Sequence, residues 1–548
     1  MKYKIILLFT LTLLCSGFIT RDNDLYFEIS KGIELFGKVY KEVAVNYVDE
    51  LNPQEFMLAG IEGMLSSLDP YSTFIDTYQQ KDIDIITKGK YGGIGASVGI
   101  RNGEVTIVDL MEGFSAQRQG VRIGDVIVKI NDVKIDKNNY DNLGEYLKGD
   151  IGTSLTLTVK RENNDDNLLF NLVREEITVK NLNYYGFVPE SSNNAYLKLS
   201  GFSNTAGSEV KNALLELKNK KEIKSVVIDL RGNPGGLLDA AIDVCEKFLK
   251  KGQLIVTVKG RDSLNVKSHY STEEPILTDA KIAVLIDEGT ASAAEIVSGA
   301  LQDHDCALLV GNNSYGKGLV QTIVALPYNT SLKLTTARYY TPSGRSIQKI
   351  NYSEKSKVFS NYSVLAKKEF ETDKKRIVYS AGGIAPDTIV KNEINSELVQ
   401  RLLAEGMFFK FATHIYNQNP KMKLESAGSE NLFKEFADYL KAQKFDFVSK
   451  TEKLIDQLKN VMSEEKIDPK IIDELNKAKN QIDSNHSTEL MKNKNEIMGL
   501  IYEELAARVE GREGRIKESL KIDKQFDMAL HLLKNQDSYI RVMNHSTK

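Results

Sequence analysis

Between Val179 and Val390 the chain sets short, unbroken apolar runs between segments of helical periodicity: Val226-Val227-Ile228, Leu254-Ile255-Val256, Ile282-Ala283-Val284-Leu285-Ile286 and Ala307-Leu308-Leu309-Val310. A strand with one wet face alternates apolar and polar residues, whereas an unbroken run leaves no face for water. The pattern predicts a mixed α/β core over residues 177–395, its strands buried on both faces by helices. At 548 residues the chain is too long for one such core, so further domains are expected.

Residues 21–82 carry apolar positions at helical spacing from Leu25 to Leu68, with Pro53 early in a second segment and Asp69-Pro70 closing it, which predicts an N-terminal pair of helices. Residues 83–176 change to period-two alternation (Val105, Ile107; Leu155, Leu157, Val159), the mark of a small β-rich domain. Residues 396–548 are rich in Lys, Glu and Asn with long helical periodicity and read as an appended helical extension. The polar stretch Tyr352 to Lys375 reads as a surface excursion.

Lys2 and Lys4 precede the apolar run Ile5 to Leu14 and then Ser16 and Gly17, a secretory signal pattern over residues 1–20. The run is shorter than the roughly 20 residues of a spanning helix. Export to the periplasm or cell envelope is expected, with cleavage, lipid attachment at Cys15 and N-terminal membrane anchorage left open. Cys245 and Cys306 lie in apolar stretches and read as small buried hydrophobes. The six histidines are scattered, so neither a metal site nor a cofactor is expected. A net charge of -3 provides no basic field, which excludes nucleic acid as the expected partner.

Three segments can carry chemistry. Asp287-Glu288-Gly289-Thr290-Ala291-Ser292-Ala293-Ala294-Glu295-Ile296 follows an apolar run and opens a helix, so Ser292 stands where unpaired backbone N–H groups can receive an oxyanion. Ser292 and Glu295 equally match a Ser-x-x-Glu capping box. Ser314-Tyr315-Gly316-Lys317-Gly318-Leu319-Val320-Gln321 presents a lysine between glycines. Burial would disfavour its ammonium and make it a base, and the Gln321 amide could orient its nitrogen; a solvated glycine loop is the plainer alternative. Asp229-Leu230-Arg231-Gly232-Asn233-Pro234-Gly235-Gly236 ends a strand in a turn poor in side chains, either a second oxyanion donor or a turn needing positive φ.

These segments resemble the carboxy-terminal processing, or tail-specific, peptidases of bacteria and plastids, over about residues 25 to 395. The resemblance implies Ser292 as nucleophile, Lys317, 25 residues on, as general base, and Gln321 as its support. It also implies oxyanion donors at Ala293 and at Gly235 or Gly236. Tyr91-Gly92-Gly93-Ile94-Gly95-Ala96-Ser97-Val98 and Gly120-Val121-Arg122-Ile123-Gly124-Asp125-Val126-Ile127 resemble a PDZ domain, in which Gly92, Gly93, Ile94 and Gly95 would form the loop that takes a terminal carboxylate while the peptide adds as a strand. The alternative is that these glycines only shape a strand entry. Lys148 stands where many family members place arginine.

The implied activity is that of an exported serine endopeptidase reading C-terminal tails of protein or peptide substrates. A non-catalytic peptide- or lipid-binding or scaffold protein of the same architecture is the rival. The extension lies outside the resemblance and suggests an adaptor or homo-oligomer contact. Two other patterns are set aside. Gly95-Ala96-Ser97-Val98-Gly99 mimics a nucleophile elbow but lies in alternating sequence, and Ser314 with Lys317 mimics a Ser-x-x-Lys motif that lacks its partner motifs.

Overall fold

The computed structural model describes residues 2–77, 79, 89–262, 266–352, 363–391, 396–424, 429–465, 467–483 and 486–544. The boundary expected at 82/83, residue 395 of the boundary before the extension, and residues 353–362 of the polar excursion lie outside them. The chain divides into two compact units, Met1–Gln80 with Gln321–Thr335, and Lys81–Val320 with Thr336–Lys548.

The first unit holds the expected helix pair, Lys2–Asn46 and Pro53–Ser66. Asn52 caps the second helix, its Oδ1 accepting Gln54 N–H at 3.0 Å, and Pro53 fills the first turn, where a missing N–H costs nothing. Tyr40 stacks on Phe56 across the pair, with ring centroids 5.7 Å apart. Asp69 then turns the chain by accepting the N–H groups of Tyr71 and Ser72, both at 2.8 Å, into the strand Thr73–Ile75, which pairs antiparallel with Ser331–Lys333. Among the described residues no helix is long and apolar enough to cross a membrane.

In the second unit the β-rich domain is an antiparallel sheet of Ala96–Arg101, Glu104–Leu110, Val126–Ile130, Ser154–Lys160 and Leu168–Val173, with the short helix Leu143–Leu147 beside it. Its core is built from the alternating positions of the sequence pattern, Val105, Ile107, Leu155, Leu157 and Val159 among them.

The α/β core follows from the unbroken runs. Strands Leu182–Phe187, Asn194–Leu199, Ser225–Asp229, Lys281–Ile286, Ala307–Gly311 and Thr388–Ile389 lie in that order, the first pair antiparallel and the rest parallel. Alternate residues go to opposite faces. Val226, Ile228, Val284, Ile286 and Leu309 pack with helices Ala206–Lys220, Leu238–Glu246 and Ala293–Asp303. Val227, Ala283, Leu285, Leu308 and Val310 pack instead with Leu520, Phe526, Ala529, Leu530 and Leu533. The second face is thus covered from within the extension by the helix Lys524–Lys534, with Phe526 edge-on to Tyr196 at 5.4 Å.

The run Leu254-Ile255-Val256 departs from expectation. Strand Leu254–Gly260 is not in this sheet; it pairs antiparallel with Val266–Tyr270 and with Ala337–Tyr340, and only Ile255 and Val256 of its residues are buried. Three apolar residues are too few to tell a strand covered on both faces from one covered on a single face.

The rest of the extension has a core of its own. Leu398, Leu402, Phe408, Phe411, Phe436, Ile501 and Leu505 cluster, and Phe408 stacks on Phe436 at 5.4 Å. Its outer side meets the β-rich domain: Phe409 packs with Ile123, Arg512 pairs with Asp109, and a Cβ on Gly124 would lie 2.4 Å from Thr413 Cγ2.

Because Phe526 closes the second face of the sheet, Phe526→Ala should cost the α/β core about 3–5 kcal/mol, read as a lower urea midpoint for the transition of the core. A helix that were only an appendage would leave that midpoint in place.

Candidate active site

Strand Lys281–Ile286 delivers the chain to a turn fixed by one carboxylate. Asp287 Oδ1 accepts Gly232 N–H at 2.8 Å and Gly289 N–H at 3.0 Å, and Thr290 Oγ1 donates to the Leu230 carbonyl at 2.9 Å. Ala291 N–H donates to the Asn233 carbonyl at 2.9 Å. The serine turn and the glycine turn after Asp229 are therefore bonded together along their length. A Cβ on Gly235 would fall 2.9 Å from both Ser292 Cβ and Ala293 N, so this position admits no side chain. With φ at 98°, its backbone also favours glycine.

Ser292 sits at φ 55°, ψ −115°, a strained conformation for a residue with a side chain, at the head of the wholly buried helix Ala293–Asp303. Such strain persists only where the surroundings over-determine it. Here they do. Ser292 N–H donates to Glu295 Oε2 at 2.8 Å, and Glu295 N–H donates back to the Ser292 carbonyl at 2.8 Å.

The same Glu295 carboxylate receives the lysine loop. Lys317 N–H reaches Oε2 at 2.9 Å, Gly316 N–H reaches Oε1 at 2.8 Å, and Ser314 Oγ donates to Oε1 at 2.5 Å. Ser314 Oγ in turn accepts Ile384 N–H at 2.6 Å, so Ser314 is a buried tie in the loop wall. The hydroxyl of buried Tyr339 donates to the Lys317 carbonyl at 2.6 Å and stands 3.2 Å from that of Ser292. Ser292 and Lys317 are thus joined twice through their backbones. Gly318 N–H donates to Gln348 Oε1 at 2.7 Å and Lys349 N–H to the Gly316 carbonyl at 3.0 Å, so Gln348 and Lys349 buttress the lysine loop.

The remaining candidates are placed less directly. Ala293 opens the helix behind Ser292, and Gly236 is exposed at the turn with φ 153°. The Gly235 N–H donates to Asn233 Oδ1 at 2.9 Å. Gln321 belongs to the first unit, where its Nε2 donates to Thr335 Oγ1 at 3.2 Å. Cys245 and Cys306 are free thiols, and burial pushes both upward in pKa, Cys306 to about 11.

In the β-rich domain Gly92 and Gly93 are part of strand Lys90–Gly93, paired with Glu175–Thr178, and Ile94 and Gly95 link it to strand Ala96–Arg101. The glycines therefore shape a strand entry, and a Cβ on Gly92 would fall 2.0 Å from the Gly149 carbonyl oxygen. Gly93 also borders a groove between strand Ala96–Arg101 and helix Leu143–Leu147, lined by Ile94, Ala96, Val98, Leu143 and Leu147. Tyr140 Oη donates to the Val98 carbonyl at 3.2 Å across it, and Lys148 Nζ lies 5.8 Å from the Tyr91 ring. Ser97 lies on the strand, away from any strand-to-helix turn.

Residues 193–355 match the family described as Peptidase family S41, residues 106–161 a PDZ domain, and residues 398–533 the C-terminal helical domain of a probable PDZ-protease. A carboxy-terminal-processing protease of Bartonella bacilliformis is 40% identical over 324 residues, 58% of this chain and 73% of that protein. The chain belongs to the carboxy-terminal-processing protease family. A probable CtpA-like serine protease of Staphylococcus aureus is 34% identical over 314 residues, 56% of this chain and 61% of that protein. A solved photosystem II D1 C-terminal processing protease covers 66% of this chain and 94% of its own at 22% identity, with a TM-score of 0.36.

Within this serine protease family architecture, two residues escaped sequence reasoning. The Ser-x-x-Glu spacing marked Glu295, but only as a helix cap; its bonds to Ser314, Gly316 and Lys317 join segments some 20 residues apart. Tyr339 lies in an ordinary strand and carried no signal.

Burial raises the Glu295 carboxyl above its usual range, and the bonds from Ser314, Lys317, Gly316 and Ser292 pull against that shift. A raised value means the folded state holds the proton more tightly than the unfolded chain. That contribution is whole below the usual carboxylate range and is lost as pH rises through the raised value. Glu295→Gln, which turns an amide N–H2 toward donors, should cost about 1–3 kcal/mol. The gap to the wild type should narrow as pH rises from acid to neutral, as followed by thermal unfolding across that range.

Proposed function

We propose that the chain is an exported serine endopeptidase that cuts polypeptides recognised by their C-terminal tails. In this reading Ser292 attacks the peptide carbonyl, Lys317 accepts its proton and later delivers it to the leaving amine, and water releases the acyl-enzyme. Gln321 orients the lysine nitrogen. The oxyanion is received by Ala293 N–H, at the positive end of the helix Ala293–Asp303, with an amide of the Gly235–Gly236 pair. The proposed chemistry uses protein groups alone.

The observation that carries the reading is the single oxygen, Glu295 Oε2, that accepts both Ser292 N–H and Lys317 N–H. A helix cap alone would need the first bond and not the second. The strained φ of Ser292 and the side-chain-free approach of Gly235 support the same assignment.

Tail recognition is assigned to the groove beside Gly93 and Ile94, where a peptide would add to the edge of strand Ala96–Arg101 and displace the Tyr140 hydroxyl from Val98. Export is assigned on the Lys2-to-Gly17 pattern, with the cell envelope as the place of action.

With residues 1–20 removed and an unfolded protein as substrate, Ser292→Ala and Lys317→Ala should each lower turnover by about a thousandfold or more. Cleavage retained in both would refute the pair. Activity should climb with pH as Lys317 sheds its proton, and a flat profile with the fold intact would count against the lysine as base. A peptide with a free C-terminal carboxylate should bind the chain about tenfold more tightly than its amidated form, as measured by fluorescence anisotropy; equal affinities would remove tail recognition.

A further inference from the structure

Arg231 is the last residue before the glycine turn, and what holds it comes from almost 300 residues away. Its Nε and backbone N–H both donate to Asp229 Oδ1 at 3.0 Å, and a terminal nitrogen donates to Asp229 Oδ2 at 2.6 Å. Its carbonyl accepts Lys198 Nζ at 2.9 Å. The other side of the guanidinium faces the extension, bonding Gln525 Oε1 at 3.0 Å and Asp523 Oδ2 at 2.6 Å. Asp523 is doubly used, because its Oδ1 caps the helix Lys524–Lys534 by accepting the N–H groups of Gln525 and Phe526. Gln525 is likewise pinned, its Nε2 donating to the Val390 carbonyl at 2.7 Å. The helix start is thus locked to the C-terminal end of the interior strand Ser225–Asp229, where the strand gives way to the turn.

The turn then bears on the serine. Gly232 N–H is held by Asp287, the Asn233 carbonyl holds Ala291 N–H, and Gly235 packs against Ser292 and Ala293. A small rotation of Arg231 would be passed on to these bonds, since its guanidinium, its N–H and its carbonyl are all tied by hydrogen bonds next to the turn. A planar fork that meets Asp229 and Asp523 on its two sides fixes direction as well as distance.

We propose that Arg231 is a positioning residue for the oxyanion turn, and that Asp523 and Gln525 of the C-terminal extension set its position, which makes the helix Lys524–Lys534 a working part of the catalytic centre. This rests on the serine peptidase reading above. The extension acts through Arg231 and touches neither substrate nor reacting atoms. Its loss reduces stabilisation of the tetrahedral intermediate, a contribution made in the transition state and absent from ground-state binding.

The test uses the full chain with Asp523→Asn, which keeps an equally good helix cap and removes the charge that faces Arg231. Amide hydrogen exchange at Gly232, Asn233, Gly235, Gly236 and residues 291–293 should quicken about tenfold, and kcat should fall about tenfold at unchanged KM and unchanged unfolding midpoint. Arg231→Lys, which keeps the charge and loses the fork, should behave alike, whereas Asp527→Asn, on an exposed position of the same helix, should change neither readout. Wild-type exchange and kcat in Asp523→Asn would overturn the proposal. So would losses that merely track a lowered midpoint of the core. If the wild-type chain turns over no substrate, the peptidase reading fails on its own, and exchange at the turn still decides the positioning role.

Discussion

The carboxylate of Glu295 is the constraint on which the candidate site depends. It is fully buried, and it accepts four donors from two loops that the fold brings in from separate strand ends. A buried carboxylate is costly unless its lone pairs are satisfied, so the energetic demand of one side chain compels the serine turn and the lysine loop to meet. Neither loop needs to hold its shape alone. The strained backbone at Ser292 is tolerable because this acceptor fixes it on one side, while the close approach of Gly235 and the Tyr339 hydroxyl hold it on the others.

A second constraint is the sheet itself. Parallel strands without alternation demand cover on both faces, and the helices within the core supply only one layer. The other layer arrives from the extension, whose final helices lie on the sheet while its earlier ones form a separate cluster and pack against the PDZ domain. The extension is therefore two things in one stretch of chain, a small domain and a missing layer of the core.

The limits of sequence legibility follow from the same physics. The strand-to-helix turn at Ser292 and the glycine-flanked loop at Lys317 are legible because the strand before each and the glycines around it dictate local geometry. The N-terminal helices were readable from period and from Pro53. Strand Leu254–Gly260 is not buried on both faces as its run suggests, because three apolar residues carry no information about the second face. The docking of Phe526 was invisible for a related reason: helical periodicity tells that a face is apolar and is silent about what covers it. Glu295 as a junction, Tyr339 and Arg231 emerge only when segments far apart in sequence converge. The glycine run at 92–95 stands out in the sequence, and the steric reasons, the Gly149 carbonyl at Gly92 and the Tyr91 ring at Gly93, emerge only in three dimensions.

Covering the sheet from residues 520 to 543 also imposes an order of events. Every strand of the core is synthesised before the helix that covers Val227, Leu285 and Val310, so the growing chain carries a half-clad sheet until that helix arrives. Completion of the core is therefore the last folding event that the order of synthesis allows.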